Sequence, residues 1–257
     1  MRLKPAIRYQ LHEFWVGGFV FFLFNVGFVA LCFLGLLKVQ GLDGEGFAFN
    51  WYDFSCAIYF FVLGLILPRQ AARLCVQMGV SRRTAYLSLF LSALPAALAM
   101  AAAGQVLLAG SNLAAEQVAP AMEGRVIDLF SLVYHQGSWS PGVVSTPLSI
   151  LYAALFMLVM YALGLFFTLL FWRLNKLGCI IAVLALVVLA TGVPTLFTVF
   201  SVPLAPVTAA FWRLWNAFLA SPWVALLLFL VVAAILALIG WLLIRRTNIR
   251  AGMLSRQ

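Results

Sequence analysis

Charge is scarce in this chain, and acidic side chains are scarcest of all. Only 9% of the 257 residues are charged, with 16 Lys and Arg against 7 Asp and Glu. Because ordinary soluble domains carry about 25% charged residues, this content excludes a typical water-soluble globule. Apolar residues make up 65% of the chain and the mean hydropathy is +1.10, whereas a soluble domain keeps its exposed apolar patches small. The composition predicts an integral membrane protein.

Motifs of metal, nucleotide and catalytic sites are also missing. The four cysteines are far apart and form no C-x-x-C pair, which predicts neither a zinc site nor a disulfide scaffold. The sequence has no glycine-rich phosphate loop followed by Lys, no H-E-x-x-H and no G-x-S-x-G. Its net charge of +9 would favour nucleic-acid binding only on an aqueous domain, and the composition leaves none. We therefore expect a chain without metal, cofactor or catalytic residues of its own.

Apolar runs in the sequence are long enough to cross a bilayer six times. A hydrocarbon core of about 30 Å needs about 20 helical residues. We predict an all-α membrane protein with a single transmembrane domain over residues 1–257. In the second helix, Trp51 and Tyr52 are expected at the membrane interface and Asp53 at the water edge. The six spans are placed near residues 14–37, 51–68, 85–108, 147–171, 178–200 and 223–244.

The distribution of charge orients these helices. Thirteen of the 16 basic residues fall on the side of the two termini, and only Lys38, Arg125 and Arg213 fall on the other side. The positive-inside rule then places both termini in the cytoplasm. Residues 1–13 combine basic residues with apolar side chains at helical spacing, which predicts an amphipathic helix lying in the cytoplasmic interface.

Two outer connections are long. Residues 110–146 mix acidic and apolar side chains, and we expect a short helix or two there over the outer mouth. Asp128, His135 and Ser138 fall in this connection, so a membrane enzyme is one alternative, although three common polar residues meet in a loop by chance. Residues 201–222 contain three prolines yet are strongly apolar, which we interpret as a re-entrant or interfacial helical pair.

The cytoplasmic connection between the second and third helices carries the most specific pattern. Arg69, Arg73 and Gln77 are four residues apart and share one face of a helix. Gly79 is suited to end that helix, and Ser81 to begin the next as its N-cap. The sequence predicts an amphipathic helix, a tight turn and a new membrane helix.

Arg82 and Arg83 occupy the first turn of this new helix. The helix dipole disfavours positive charge there by about 0.3–1 kcal/mol per residue, so another interaction must favour them. Membrane topology and lipid phosphate account for a bare pair of arginines. A docking surface for an acidic or carbonyl-lined groove on a cytosolic partner accounts for the whole arrangement.

The segment L-C-V-Q-M-G-V-S-R-R-T, residues 74–84, resembles the region between helices two and three in membrane subunits of ABC exporters of the second permease class, the ABCG-like or type V architecture. The resemblance extends to the basic N-terminal helix, the six spans and the apolar segment between helices five and six. It implies a coupling helix in the region 69–84 and transport by alternating access. ATP and Mg²⁺ would be bound by separate cytosolic ATPase subunits, as in bacterial split forms, and a second permease subunit would complete the transporter in the plasma membrane.

The same resemblance implies which residues contact the ATPase. They are Arg69, Arg73, Gln77, Gly79, Ser81, Arg82 and Arg83, with Arg173 and Lys176 as a smaller second contact.

Few polar residues are available to line a substrate path. Thr191, Thr195 and Thr198 share a face of the fifth helix, and Asn25 is the lone amide in the first. Helix packing and a polar stripe on a cavity both explain them. A self-sufficient channel or facilitator is the alternative to the exporter. It would use such a polar stripe and would need no role for the arginine-rich turn.

Overall fold

The computed structural model describes residues 3–33, 52–78, 81–118, 127–135, 142, 144–173, 213 and 216–246. This part of the chain is helical almost throughout and contains no β-strand, and residues 216–220 form a short helical stretch. The other helices are α1 (Leu3–Phe33), α2 (Tyr52–Met78), α3 (Arg82–Val118), α4 (Leu129–Tyr134), α5 (Ser145–Arg173) and α6 (Pro222–Arg246).

Five helices are long and apolar enough to cross a membrane. These candidate spans are Ile7–Leu31, Tyr52–Ala71, Thr84–Leu113, Ser145–Trp172 and Pro222–Ile244. They confirm the prediction of a helical, multi-pass membrane protein and overlap five of the six predicted spans. The sixth, 178–200, lies outside the described residues, as does most of the connection 201–222.

Two predicted helix boundaries are absent from the structure. α1 runs from Leu3 to Phe33 without interruption, so the predicted interfacial helix and first span are parts of one helix. α2 likewise continues through Pro68 to Met78, and the predicted amphipathic helix is its last ten residues, about three turns. The proline removes one backbone donor, but helices in membranes tolerate proline where neighbouring groups satisfy the freed carbonyl.

α5 lies at the centre of the bundle. It packs against α2, α3, α4 and α6, whereas α1 packs mainly on α3. Its buried side chains include Met157, Tyr161 and Leu165, each at most 1% exposed. On α3, the small residues Ser88, Ser92 and Ala96 follow one another at four-residue intervals and are buried against its neighbours, which suits close helix packing.

α2 and α5 cross with their backbones in contact at two glycines. A methyl group on Gly64 would overlap the carbonyl oxygen of Tyr161 and lie 3.1 Å from Gly164 Cα, and one on Gly164 would overlap the carbonyl oxygen of Phe61. One turn further along, Thr168 Oγ1 donates a hydrogen bond to a backbone carbonyl of α2 at 3.1 Å. Small residues permit this approach because helix association in lipid depends on packing.

Candidate functional site

The turn between α2 and α3 is short and capped. Ser81 Oγ accepts a hydrogen bond from the backbone N–H of Thr84 at 3.3 Å and lies 2.7 Å from Thr84 Oγ1. The Ser81 carbonyl accepts the N–H of Ala85 at 3.1 Å. Ser81 is therefore the N-cap that the sequence predicts, and its exposed side chain holds the first turn of α3 in place.

The inner end of α2 extends past its candidate membrane span. The candidate span ends at Ala71 and the helix ends at Met78, a difference of seven residues or about 10 Å. Arg69 is exposed at the base of this projection. Residues 73 and 77 continue from it at four-residue intervals and share its face of the helix. Outside the described structure lie the side chains of Arg73, Gln77, Arg82, Arg83 and Arg173, and the whole of Gly79 and Lys176.

Of the predicted substrate-path residues, the structure describes Asn25 alone. Its side chain is 1% exposed, and Nδ2 donates to the carbonyl of Phe21 at 2.8 Å. Asn25 Oδ1 has no hydrogen-bond partner within the described residues. Thr191, Thr195 and Thr198 lie outside the described residues, so their relation to Asn25 stays a prediction.

A polar cluster that sequence reasoning missed joins four parts of the chain. We call Asp53, Gln105, Asp128 and Ser149 the outer polar cluster, since all four lie toward the predicted outer side. Gln105 Nε2 donates to Ser149 Oγ at 2.7 Å and to Asp128 Oδ2 at 3.5 Å, and Ser149 Oγ donates to the same Asp128 oxygen. Three members also line a cavity of about 20 Å³, which is room for about one water molecule.

Asp53 is buried, not at the water edge as predicted. It is 6% exposed, and its Oδ2 accepts the backbone N–H of Leu129 at 2.8 Å. Leu129 is the first residue of α4, and Asp128 stands at the N-cap position without using its own side chain as a cap. Asp53 therefore caps α4 from another helix. No local pattern signals this bond, because the two residues are 76 positions apart in the sequence.

α4 lies where a short helix over the outer mouth is predicted, and it is held by aromatic contacts. The ring of Tyr134 meets that of Tyr152 on α5 edge-on at 5.9 Å, and Tyr152 in turn contacts Phe229 on α6 at 5.1 Å. Tyr134 Oη donates to the carbonyl of Phe218 at 2.7 Å. Burial raises the pKa of Tyr134, which keeps the hydroxyl protonated as a donor.

The residues of the enzyme alternative have other contacts. The Asp128 carboxylate bonds Ser149 and Gln105, and the His135 ring packs edge-on against Phe130 at 5.5 Å. Ser138 lies outside the described residues. Among the residues that the structure describes, no group of three or more His, Cys, Asp or Glu could hold a metal ion.

Comparison with known proteins adds no functional assignment for this chain. No family model, curated protein or solved structure matches the chain. The two features available for a functional proposal are thus the capped polar turn at one end of α2 and the buried polar cluster at its other end.

Proposed function

We propose that this chain is the permease subunit of an ABC exporter of the second permease class. It would move an amphipathic or hydrophobic substrate across a bacterial plasma membrane by alternating access. Cytosolic ATPase subunits would bind ATP and Mg²⁺, and a second permease subunit, a copy or a relative, would complete the pathway. The chain itself would bind no cofactor and carry out no bond chemistry, with both termini in the cytoplasm.

The observation that carries this proposal is the hairpin formed by α2 and α3. The last seven residues of α2 extend past the apolar span, and α3 begins four residues after α2 ends, at Arg82. Ser81 caps the new helix, so the first turn of α3 is held in place four residues after α2 ends. A force applied at such a turn moves both helices, which is what a coupling element between an ATPase and a membrane domain requires.

The charge of the turn supports a protein partner. Arg69 is exposed on α2, and Arg82 and Arg83 begin α3. The helix dipole disfavours both bases at the start of α3. An acidic groove on a partner would reverse that cost, because complementary charges steer association and fix its register.

The apolar interior supports the proposed substrate class. No Asp, Glu, Lys or Arg occurs in residues 14–31, 54–68 or 84–113, which form most of three described spans. A path between such helices offers no charge to bind an ionic substrate. Asn25, with Thr191, Thr195 and Thr198, would supply the few hydrogen bonds that an amphipathic substrate needs.

Charge reversal at the turn tests the proposal. We expect the double variant R82E/R83E to insert normally but to lose co-purification with an ATPase subunit and ATP hydrolysis by the complex, because it replaces attraction with repulsion. Affinity purification from membranes followed by an ATPase assay measures both. Arg8→Glu is the matched control, since Arg8 is an exposed base on the same predicted side but outside the turn.

Two results would contradict the proposal. An unchanged pull-down and turnover in R82E/R83E would remove the docking surface. Substrate flux through the purified chain in liposomes, with no ATPase and no ATP, would instead favour the channel or facilitator.

A further inference from the structure

α2 connects the proposed docking turn to the outer polar cluster as one uninterrupted helix. It has 27 residues, which corresponds to about 40 Å. The capped turn follows its inner end at Met78, and Asp53 lies in its first turn at the outer end. A helix of this length spans the hydrocarbon core, so a single element reaches both surfaces.

The crossing with α5 divides α2 into two arms of similar length. Gly64 lies 12 residues from Tyr52 and 14 residues from Met78, or about 18 Å and about 21 Å along the axis. At Gly64 the backbones touch, and a Cβ there would lie 3.1 Å from Gly164 Cα. Close packing leaves no room for translation at this point, but it permits rotation about the contact, so the crossing is a natural pivot.

The outer arm holds α4 through a side-chain contact. Asp53 Oδ2 accepts the N–H of Leu129 at 2.8 Å in a buried setting. A buried amide is costly to leave unpaired, so this hydrogen bond holds the first residue of α4 to α2. α4 is also tied to α5, because Asp128 bonds Ser149.

We propose that Asp53 is a positioning residue that transmits movement of α2 to α4. Rotation of α2 about the Gly64 crossing displaces its inner and outer ends in opposite directions, and the Asp53 bond carries the outer displacement to the segment over the outer mouth. The bond from Ser149 holds the start of α4 to α5. The proposal rests on the proposed function for its purpose, since it explains how a push at the turn reaches the outside.

The test uses the full chain alone in lipid nanodiscs. Leu132 on α4 is exposed, and Leu132→Cys, with the native cysteines replaced by Ala, reports α4 by its reaction rate with a charged maleimide. Thr168→Val perturbs the crossing because it removes the hydrogen bond to Leu65 without adding bulk. Its effect on labelling is measured with Asp53 present and again in Asp53→Ala.

With Asp53 present, we expect Thr168→Val to change the labelling rate about threefold or more. In the Asp53→Ala background, we expect Thr168→Val to cause no measurable change in that rate. Asp53→Ala alone should raise the rate about tenfold, as loss of a buried hydrogen bond implies. Ser149→Ala is the matched control: it also loosens α4, but the effect of Thr168→Val should persist in it.

An equal effect of Thr168→Val in both Asp53 backgrounds, or no effect in either, would overturn the proposal and leave Asp53 a purely structural cap. If Thr168→Val unfolds the chain, Thr168→Ala, which removes the same hydrogen bond to Leu65 with a smaller side chain, supplies the comparison. Because no ATPase is present, these outcomes are independent of the docking test. Coupling that persists in a chain that binds no ATPase would remove the proposed function alone.

Discussion

The middle and the outer end of α2 are held by different means. At its middle, Gly64 touches α5 backbone to backbone, with no side chain between the two helices. At its outer end, Asp53 is held by a hydrogen bond to Leu129 beside three further polar residues. The crossing is possible because its glycines have no side chains, whereas the outer end is held by hydrogen bonds between polar groups.

This difference follows from the surroundings of each contact. In lipid no hydrophobic force brings helices together, so close van der Waals contact must do so, and glycine allows it. Near the membrane surface a segment such as α4 must enter the protein with its backbone groups exposed, and those groups need partners. Close packing therefore stabilises the α2–α5 crossing, and hydrogen bonding stabilises the outer polar cluster.

The largest effect on stability is expected at the crossing of α2 and α5, which depends on close packing. Gly64→Ala places a methyl group against the carbonyl oxygen of Tyr161, and we expect it to lower the free energy of unfolding by about 3 kcal/mol, as severe overpacking does. The thermal unfolding midpoint in detergent measures this loss. Gly27→Ala is the control, because nothing lies within 4 Å of its Cβ position, and alanine there should stabilise α1 slightly.

A variant at the outer end tests the role of pairing. Ser149→Ala removes both the donor to Asp128 and the acceptor of Gln105, and we expect a loss of about 2 kcal/mol because buried polar atoms lose partners. Ser88→Ala is the control. It is equally buried, but its hydroxyl bonds only a carbonyl of its own helix, so the same thermal assay should show little change. Equal losses in the two variants would argue against a special role for the cluster.

The smallest effect is expected at the inner turn. Ser81→Ala removes the cap on Thr84, and we expect a cost of about 1 kcal/mol. Ser81→Thr keeps the hydroxyl and should restore most of the stability. If Ser81→Ala destabilises the chain as much as Gly64→Ala, the inner turn belongs with the rigid crossing and not with the polar ends.

The sequence was sufficient to predict features that depend on neighbouring residues. Apolar length located the five described spans, and Ser81 was recognisable as a cap from its own position. Each of these signals is contained within one helix or one turn. They need no knowledge of which helix lies alongside.

Features that depend on two distant segments were missed. Gly64 and Gly164 each occur as Leu-Gly-Leu in an apolar helix, and an isolated glycine there is a sign of close packing, but neither one identifies the other. The charge of Asp53 suggested water because its partner, the N–H of Leu129, carries no sequence signal. The sequence analysis placed a helix boundary inside both α1 and α2, where the polarity of the sequence changes. Both helices continue through that change, because a change of polarity does not end a helix.

The position of α5 has a consequence for biosynthesis. Its Gly164 follows Gly64 by 100 residues, and at about 5–20 residues per second the ribosome needs about 5–20 s to reach it. During that interval α2 has been synthesised, but α5, which packs against it at Gly64, has not. The element at the centre of the bundle is the fourth of the five described spans to be synthesised, so the first three must remain separable in the bilayer until it arrives.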